Sequence, residues 1–216
     1  MDANDWNSRY ETDELIWTIE ANQFLVSEVA GLQPGTALDL ACGEGRNAVW
    51  LAMQGWDVTG VDFASVGLLK AQRLAIESGV TGTWITADAT DWTAPTDGFD
   101  LVAMLYLQLP ASERQKSIRT AVSAMAPDGT ILIIAHHLLN LIEGYGGPQD
   151  ANFLMTPEDV VDDLAAAELG LDVELVVERN ERVDRVVQTP DGPRTAIDML
   201  VRARRIDTTK LSPGAV

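Results

Sequence analysis

The chain has 216 residues, 46% of them hydrophobic and 22% charged, the proportions of a folded globular chain rather than a disordered one. A single cysteine, Cys42, excludes an internal disulfide framework and a cysteine cluster for zinc or iron–sulfur, so no metal site is expected. Fifteen Lys and Arg against 33 Asp and Glu leave a formal charge of −18, which repels phosphate backbones and anionic bilayers, so neither nucleic acid nor membrane is expected as a partner.

The start of the chain, Met1-Asp2-Ala3-Asn4-Asp5-Trp6, carries acids where a secretory signal carries cations and an apolar run. The longest apolar stretches, Leu101–Leu107 and Ile131–Ala135, are too short to span a bilayer. A cytoplasmic protein is expected. Helical spacing of Leu15, Ile16, Ile19, Val26 and Val29 predicts a helix over 13–30, stopped at Gly31. After the Pro34-Gly35 turn, a strand is predicted over 36–41, a helix over 46–54 and a strand over 56–61. A helix over 65–78 follows, with Ser65 as a possible cap and Gly79 past its end. Strands over 82–87 and 99–105 come next, then a helix over 112–125 closed by Pro127-Asp128-Gly129. A strand over 130–136 precedes a helix over 157–169, with Thr156 as cap and Pro157 at its first position. Alternating strand and helix imply a parallel sheet covered on both faces. Two strand-like stretches, 171–187 and 194–204, joined by Thr189–Pro193, end the pattern as an antiparallel hairpin. One domain over 1–206 is expected, with a loose tail over 207–216. Trp50, Trp56, Trp84 and Trp92 fall on the framework and are expected in the core.

The segment Leu38-Asp39-Leu40-Ala41-Cys42-Gly43-Glu44-Gly45-Arg46-Asn47-Ala48 joins the first parallel strand to its helix. Gly43 and Gly45 allow a tight turn and close approach of a ligand. Asp62, about 20 residues after the turn, ends the second strand, where a carboxylate accepts hydrogen bonds from ribose hydroxyls. Either NAD or S-adenosylmethionine fits a glycine turn followed by such an acid. Asp39, inside the first strand, repels a pyrophosphate and attracts an ammonium. Asp88, ending the third strand, can accept from an adenine amino group, and the antiparallel closure departs from a dinucleotide fold. These features favour S-adenosylmethionine. Cys42 has no evident neighbouring base and is expected to fill the turn.

From about residue 5 to 205 the chain resembles a class I S-adenosylmethionine-dependent methyltransferase. The resemblance rests on Leu38–Gly45, Val61-Asp62-Phe63, Ala87-Asp88-Ala89, Phe99–Val102, Leu105-Tyr106 and Ala126–Thr130. It implies an α/β Rossmann-like three-layer sandwich whose seven-stranded, mostly parallel sheet is ordered 3-2-1-4-5-7-6 with strand 7 antiparallel. Trp6-Asn7-Ser8-Arg9-Tyr10 and Gly43–Ala48 further resemble the tellurite-resistance and thiopurine-methyltransferase-like branch. Glu20-Ala21-Asn22 departs from the Pro-Asn expected there. The resemblance implies a helical N-terminal lid over 1–34. It implies a cofactor site of Arg9, Tyr10, Trp17, Asp39, Ala41, Gly43, Gly45, Arg46, Asn47, Asp62, Phe63, Asp88, Ala89, Leu105 and Tyr106. The implied activity is in-line methyl transfer to a small-molecule acceptor; a nicotinamide oxidoreductase or a non-catalytic binding protein are the alternatives.

His136 and His137 end the fifth strand, and since neighbours on a strand point to opposite faces, one of them should meet the cleft as a candidate base. Residues 140–150, with Tyr145 inside Gly144-Tyr145-Gly146-Gly147-Pro148, are long and glycine-rich enough to be a substrate lid.

Overall fold

The computed structural model describes residues 2–94 and 97–207. Among the described residues seven strands form one sheet: β1 (Thr36–Leu40), β2 (Asp57–Asp62), β3 (Thr83–Thr86), β4 (Phe99–Leu105), β5 (Met125–His136), β6 (Glu174–Thr189) and β7 (Gly192–Ile206). Their order is β3-β2-β1-β4-β5-β7-β6. The first five run parallel and β7 lies antiparallel between β5 and β6, as the sequence implies. Strand alternation divides the apolar side chains between two faces. Leu38, Leu40, Val102, Met104, Ile131, Ile133 and Met199 pack with α5 (Ala111–Ser123) and α6 (Pro157–Leu171). Ala37, Leu101, Ala103, Leu132, Ile134 and Leu200 pack with α2 (Gln23–Val29) and α3 (Arg46–Met53). Asp39, His136 and Asp198 fall by the same alternation on this second face.

The helix predicted over 13–30 is not formed as one piece. α1 spans Ala3–Tyr10, α2 begins only at Gln23, and residues 11–21 run as an irregular strap between them. Glu44 accepts hydrogen bonds from the amides of Ile16 and Trp17, and Asn47 from that of Asn22. These bonds take donors that a helix would use internally, and Ile19 stays exposed. Asn22 then caps α2 through the amides of Phe24 and Leu25.

α4 (Ser65–Glu77) starts one residue after its cap, Ala64, so Ser65 is its first residue rather than its cap. Pro127-Asp128-Gly129 lies inside β5, where Asp128 has φ 65° and the pairing with β4 shifts register. Thr156 does cap α6, in a reciprocal capping box with Asp159. The hairpin starts three residues later than predicted, its second strand is longer, and its turn tightens to Pro190-Asp191. Among the described residues no helix is long and apolar enough to cross a membrane. The tail expected to be loose lies, from 208 on, outside the described residues.

Candidate functional site

β1 gives way at Leu40 to a turn that enters α3. Ala41, Gly43 and Gly45 all take left-handed backbone (φ 65°, 55° and 79°), which glycine adopts without steric cost. The two glycines face different surroundings. A Cβ on Gly45 would stand 2.5 Å from Cβ of Ala71, so this glycine lets the turn pack on α4. A Cβ on Gly43 would stand 2.8 Å from the Tyr10 hydroxyl, on the side that α1 covers.

Two acids meet beneath this turn. Asp62 closes it from the end of β2, Oδ2 accepting from the Gly43 amide and Oδ1 from the Ala64 amide, each at 2.8 Å. Burial pushes the Asp62 carboxyl up while these two amides pull it back. Asp39 is only 1% exposed, and its Oδ2 has no hydrogen-bond partner among the described residues. Burial and then the neighbouring Asp62 push its carboxyl up to about 7, against the Ala48 amide and Arg46. Cys42 is buried beside both acids, its thiol pushed up by burial first and then by their charges.

The strap is tied to the turn. Glu44 holds the amides of Ile16 and Trp17 and pairs at 2.9 Å with Lys70, whose ammonium also donates to the Glu14 carbonyl at 2.7 Å. Arg46 donates to Thr18 Oγ1 at 2.7 Å, and burial holds its guanidinium below the ordinary range. α1 docks through Asn7, which accepts the Val66 amide at 2.9 Å. Tyr10 is buried and its ionisation pushed up by burial, whereas Trp17 is exposed and Arg9 lies over the Trp6 ring. The predicted residues Tyr10, Arg46 and Asn47 thus act in the structure as anchors of the N-terminal segment.

Asp88 follows β3 and is exposed; its Oδ1 accepts from the amide and hydroxyl of Thr90, a local turn. Ala89 and Leu105 are buried and Phe63 is half-buried.

A second polar cluster forms where β4, β5 and β7 end. Asp198, fully buried on β7, is paired in register with His136 on β5. Its Oδ1 meets His136 Nδ1 at 3.1 Å; its Oδ2 accepts from the Tyr106 hydroxyl at 2.7 Å and from Arg185 Nε at 2.9 Å. Burial opposes ionisation of Asp198, yet His136, Arg185 and Tyr106 together hold its carboxyl below the ordinary range. Tyr106 has φ 58°, stacks at a tilt on His136 with centroids 4.8 Å apart, and accepts from Asn22 Nδ2 at 3.1 Å. Burial, then Asp198, push the Tyr106 phenol up.

The two histidines part company as the strand alternation requires. His136 joins this cluster. His137 is buried elsewhere: its Nδ1 accepts the Leu139 amide and caps a short 3-10 turn, and burial holds its imidazole below the ordinary range. The glycine-rich loop folds back over His136. Asn140 pins it to both backbone groups of Ile197, and a Cβ on Gly147 would stand 2.7 Å from the His136 ring. Tyr145 is exposed and is not brought to the cluster.

Sequence reasoning missed Asp198, Arg185, Glu44, Lys70 and Asn22. Asp198 left a legible trace: one acid inside the apolar run Ala196-Ile197-Asp198-Met199-Leu200-Val201. A charge in a buried strand requires partners.

Residues 37–129 match the family described as a methyltransferase domain. The 2-heptyl-1-hydroxyquinolin-4(1H)-one methyltransferase of Mycobacteroides abscessus is 27% identical over 143 residues, 62% of this chain and 63% of that protein. The matched part spans 63%, 47% and 35% of three curated relatives, less than two thirds of each. A solved structure concerned with conversion of a disulfide bond into a thioacetal group during echinomycin biosynthesis superposes with TM-score 0.73 at 21% identity, covering 97% of this chain and 96% of that one. The N-methyltransferase NodS from Bradyrhizobium japonicum WM9, in complex with S-adenosyl-L-homocysteine, gives 0.67 at 16% identity over 94% and 97%. Residues 37–129 thus resemble a methyltransferase domain, and the fold is shared with these solved structures.

Proposed function

We propose that the protein transfers a methyl group from S-adenosylmethionine to a small-molecule acceptor. The observation that carries this reading is the orphaned Asp39 Oδ2: a buried carboxylate oxygen beside a glycine turn, with no hydrogen-bond partner among the described residues. An amino-acid ammonium supplies the cation that such a buried acid lacks. A pyrophosphate there would meet Asp39 as a like charge, which disfavours the nicotinamide alternative.

In this reading Asp39 pairs with the methionine ammonium. Asp62, whose oxygens each hold one amide, has lone pairs left for the ribose hydroxyls. Asp88 keeps Oδ2 for the adenine amino group. Gly43 leaves room for the Tyr10 hydroxyl and gives its amide to Asp62, which sets the turn against the cofactor, and Leu105 and Tyr106 flank the reacting end. The bound cofactor supplies an electrophilic methyl on a sulfonium, already a good leaving group. The chain's work is then to hold the acceptor about 3–3.5 Å from that methyl and to exclude water, which the strap and the 140–150 loop are placed to do. The −18 charge and the small-molecule name of the Mycobacteroides relative support a small acceptor over a nucleic acid. The motifs at Trp6–Tyr10 and Gly43–Ala48 support the tellurite-resistance and thiopurine-methyltransferase-like branch as the finer placement.

Titration calorimetry with S-adenosylhomocysteine tests this reading. The wild type should bind it and ignore NADH. Asp62→Ala should lose about 2–4 kcal/mol of binding, the scale of charge-assisted hydrogen bonds. An unchanged dissociation constant in a folded variant removes Asp62 from the site. Wild-type binding of NADH in place of S-adenosylhomocysteine overturns the assignment.

A further inference from the structure

We infer that His136, oriented by Asp198, is the general base of the reaction, and that the acceptor nucleophile is therefore a hydroxyl, alcohol or phenol. This rests on the methyl-transfer reading. It starts from the choice of tautomer. Asp198 is buried, and three donors converge on its carboxylate: His136, Arg185 and Tyr106. An ionised carboxylate only accepts, so Nδ1 of His136 must carry the proton. The Asn140 amide nitrogen, which donates one hydrogen to the Ile197 carbonyl at 2.8 Å, also lies 3.4 Å from Nδ1, but the shorter, charged contact to Asp198 at 3.1 Å decides. The lone pair is then on Nε2, which has no hydrogen-bond partner among the described residues. His137 is set the other way: its Nδ1 accepts the Leu139 amide, so its proton is on Nε2. Two adjacent histidines are fixed in opposite tautomers, and the one with a free Nε2 lone pair stands beside Tyr106.

The acceptor class follows from what needs such a base. A thiol, with a reference pKa of about 8.5, supplies its own thiolate near neutral pH, whereas a phenol near 10 or an alcohol does not. An ammonium acceptor also needs deprotonation, but the charge of Asp198 is already taken by the Arg185 guanidinium at 2.9 Å, which leaves the cluster no free carboxylate to hold an incoming ammonium. The same cation favours an oxygen that gains negative charge. As the hydroxyl proton passes to His136 Nε2, the oxygen lone pair forms the O–CH3 bond. The electron pair of the S–CH3 bond stays on sulfur, leaving a neutral thioether. The imidazolium formed is balanced by Asp198 and then loses its proton to water.

The test has two arms. Long-range 1H–15N correlation spectra, with His136 assigned by its loss in His136→Gln, should show the Nδ1–H tautomer for His136 and the Nε2–H tautomer for His137. An Nε2–H tautomer at His136 overturns the proposal whatever the acceptor. In the second arm, catechol and thiophenol are the oxygen and sulfur probes. His136→Gln should cut catechol methylation by about 10²–10⁴-fold, the usual range for losing a general base. It should leave thiophenol methylation within about threefold and the S-adenosylhomocysteine dissociation constant unchanged. Asp198 is a positioning residue: Asp198→Asn should lower kcat for catechol with little change in KM. It should also alter the acid limb of the pH–rate profile, since Asp198, Arg185 and Tyr106 are the titratable groups facing His136. Equal losses with both probes, or none with either, overturn the base assignment. Methylation of thiophenol but not catechol by the wild type overturns the hydroxyl assignment. Failure of the wild type to bind S-adenosylhomocysteine overturns the methyl-transfer reading instead.

Discussion

Asp39 and Asp198 are equally hidden, at 1% and 0% exposure, on the same face of one sheet, yet their carboxyls are driven in opposite directions. Burial acts on both. Asp39 is pushed up further by Asp62, against the weaker pull of Arg46, and its Oδ2 has no partner among the described residues. Asp198 has a guanidinium, a phenol and an imidazole. Depth in the fold therefore does not set the charge of a buried acid; its donors do. The fold satisfies Asp198 internally, whereas Asp39 Oδ2 has no hydrogen-bond partner among the described residues.

The largest effect should come from removing the satisfied acid. Asp198→Ala leaves Arg185 without its partner and should cost about 3–5 kcal/mol, read as a lower urea midpoint. A loss below 1 kcal/mol would show that the three donors find other partners. Asp39→Asn should act with the opposite sign. A carboxyl raised from its unfolded value near 4 to about 7 binds its proton more tightly when folded. Wild-type stability from this group is thus full below pH 4 and falls as pH rises to 7. The substitution should then stabilise the ligand-free protein by a few kcal/mol at pH 8 and by little at pH 4. It should also weaken S-adenosylhomocysteine binding at least tenfold. The same linkage predicts that binding at pH 6 releases a proton, seen as a calorimetric enthalpy that varies with the buffer's ionisation heat. Equal stability of Asp39→Asn and wild type at pH 8 would place a partner on Asp39 that the geometry lacks. The smallest effect concerns the strap. Glu44→Gln weakens the Lys70 pair and should raise hydrogen exchange at the Ile16 and Trp17 amides about fivefold, equivalent to about 1 kcal/mol of local opening.

The turn around Asp39 in the candidate site is legible in the sequence because it is built from short-range features. The turn, Asp39 and Asp62 occupy 24 consecutive positions, 39 to 62, and strand-end chemistry is fixed by neighbours along the chain. The half around Asp198 was only partly legible. Tyr106 and His136 could be placed at strand ends, but Arg185 and Asp198 reach them through the pairing of β5, β7 and β6, a relation across 62 residues for His136 and 92 for Tyr106. No local pattern encodes that register. The strap failed for a related reason. Residues 13–30 have helical spacing, but Glu44 and Asn47 capture the amides at 16, 17 and 22, and tertiary hydrogen bonds override periodicity.

The pairing of His136 with Asp198 also has a consequence for how the molecule matures. Side chains alternate along β7, so a slip of one residue would turn Asp198 to the other face and present Ile197 or Met199 to the imidazole. The turn at Gly43 and the acid at Asp62 leave the ribosome well before residue 198 does. A nascent chain can therefore build the Asp39 side first, and the Asp198 side only after the β6–β7 hairpin has docked β7 on β5 in correct register. The β5–β7 register thus sets the second cluster alone: a slip there leaves the glycine turn intact but breaks the pairing of His136 with Asp198.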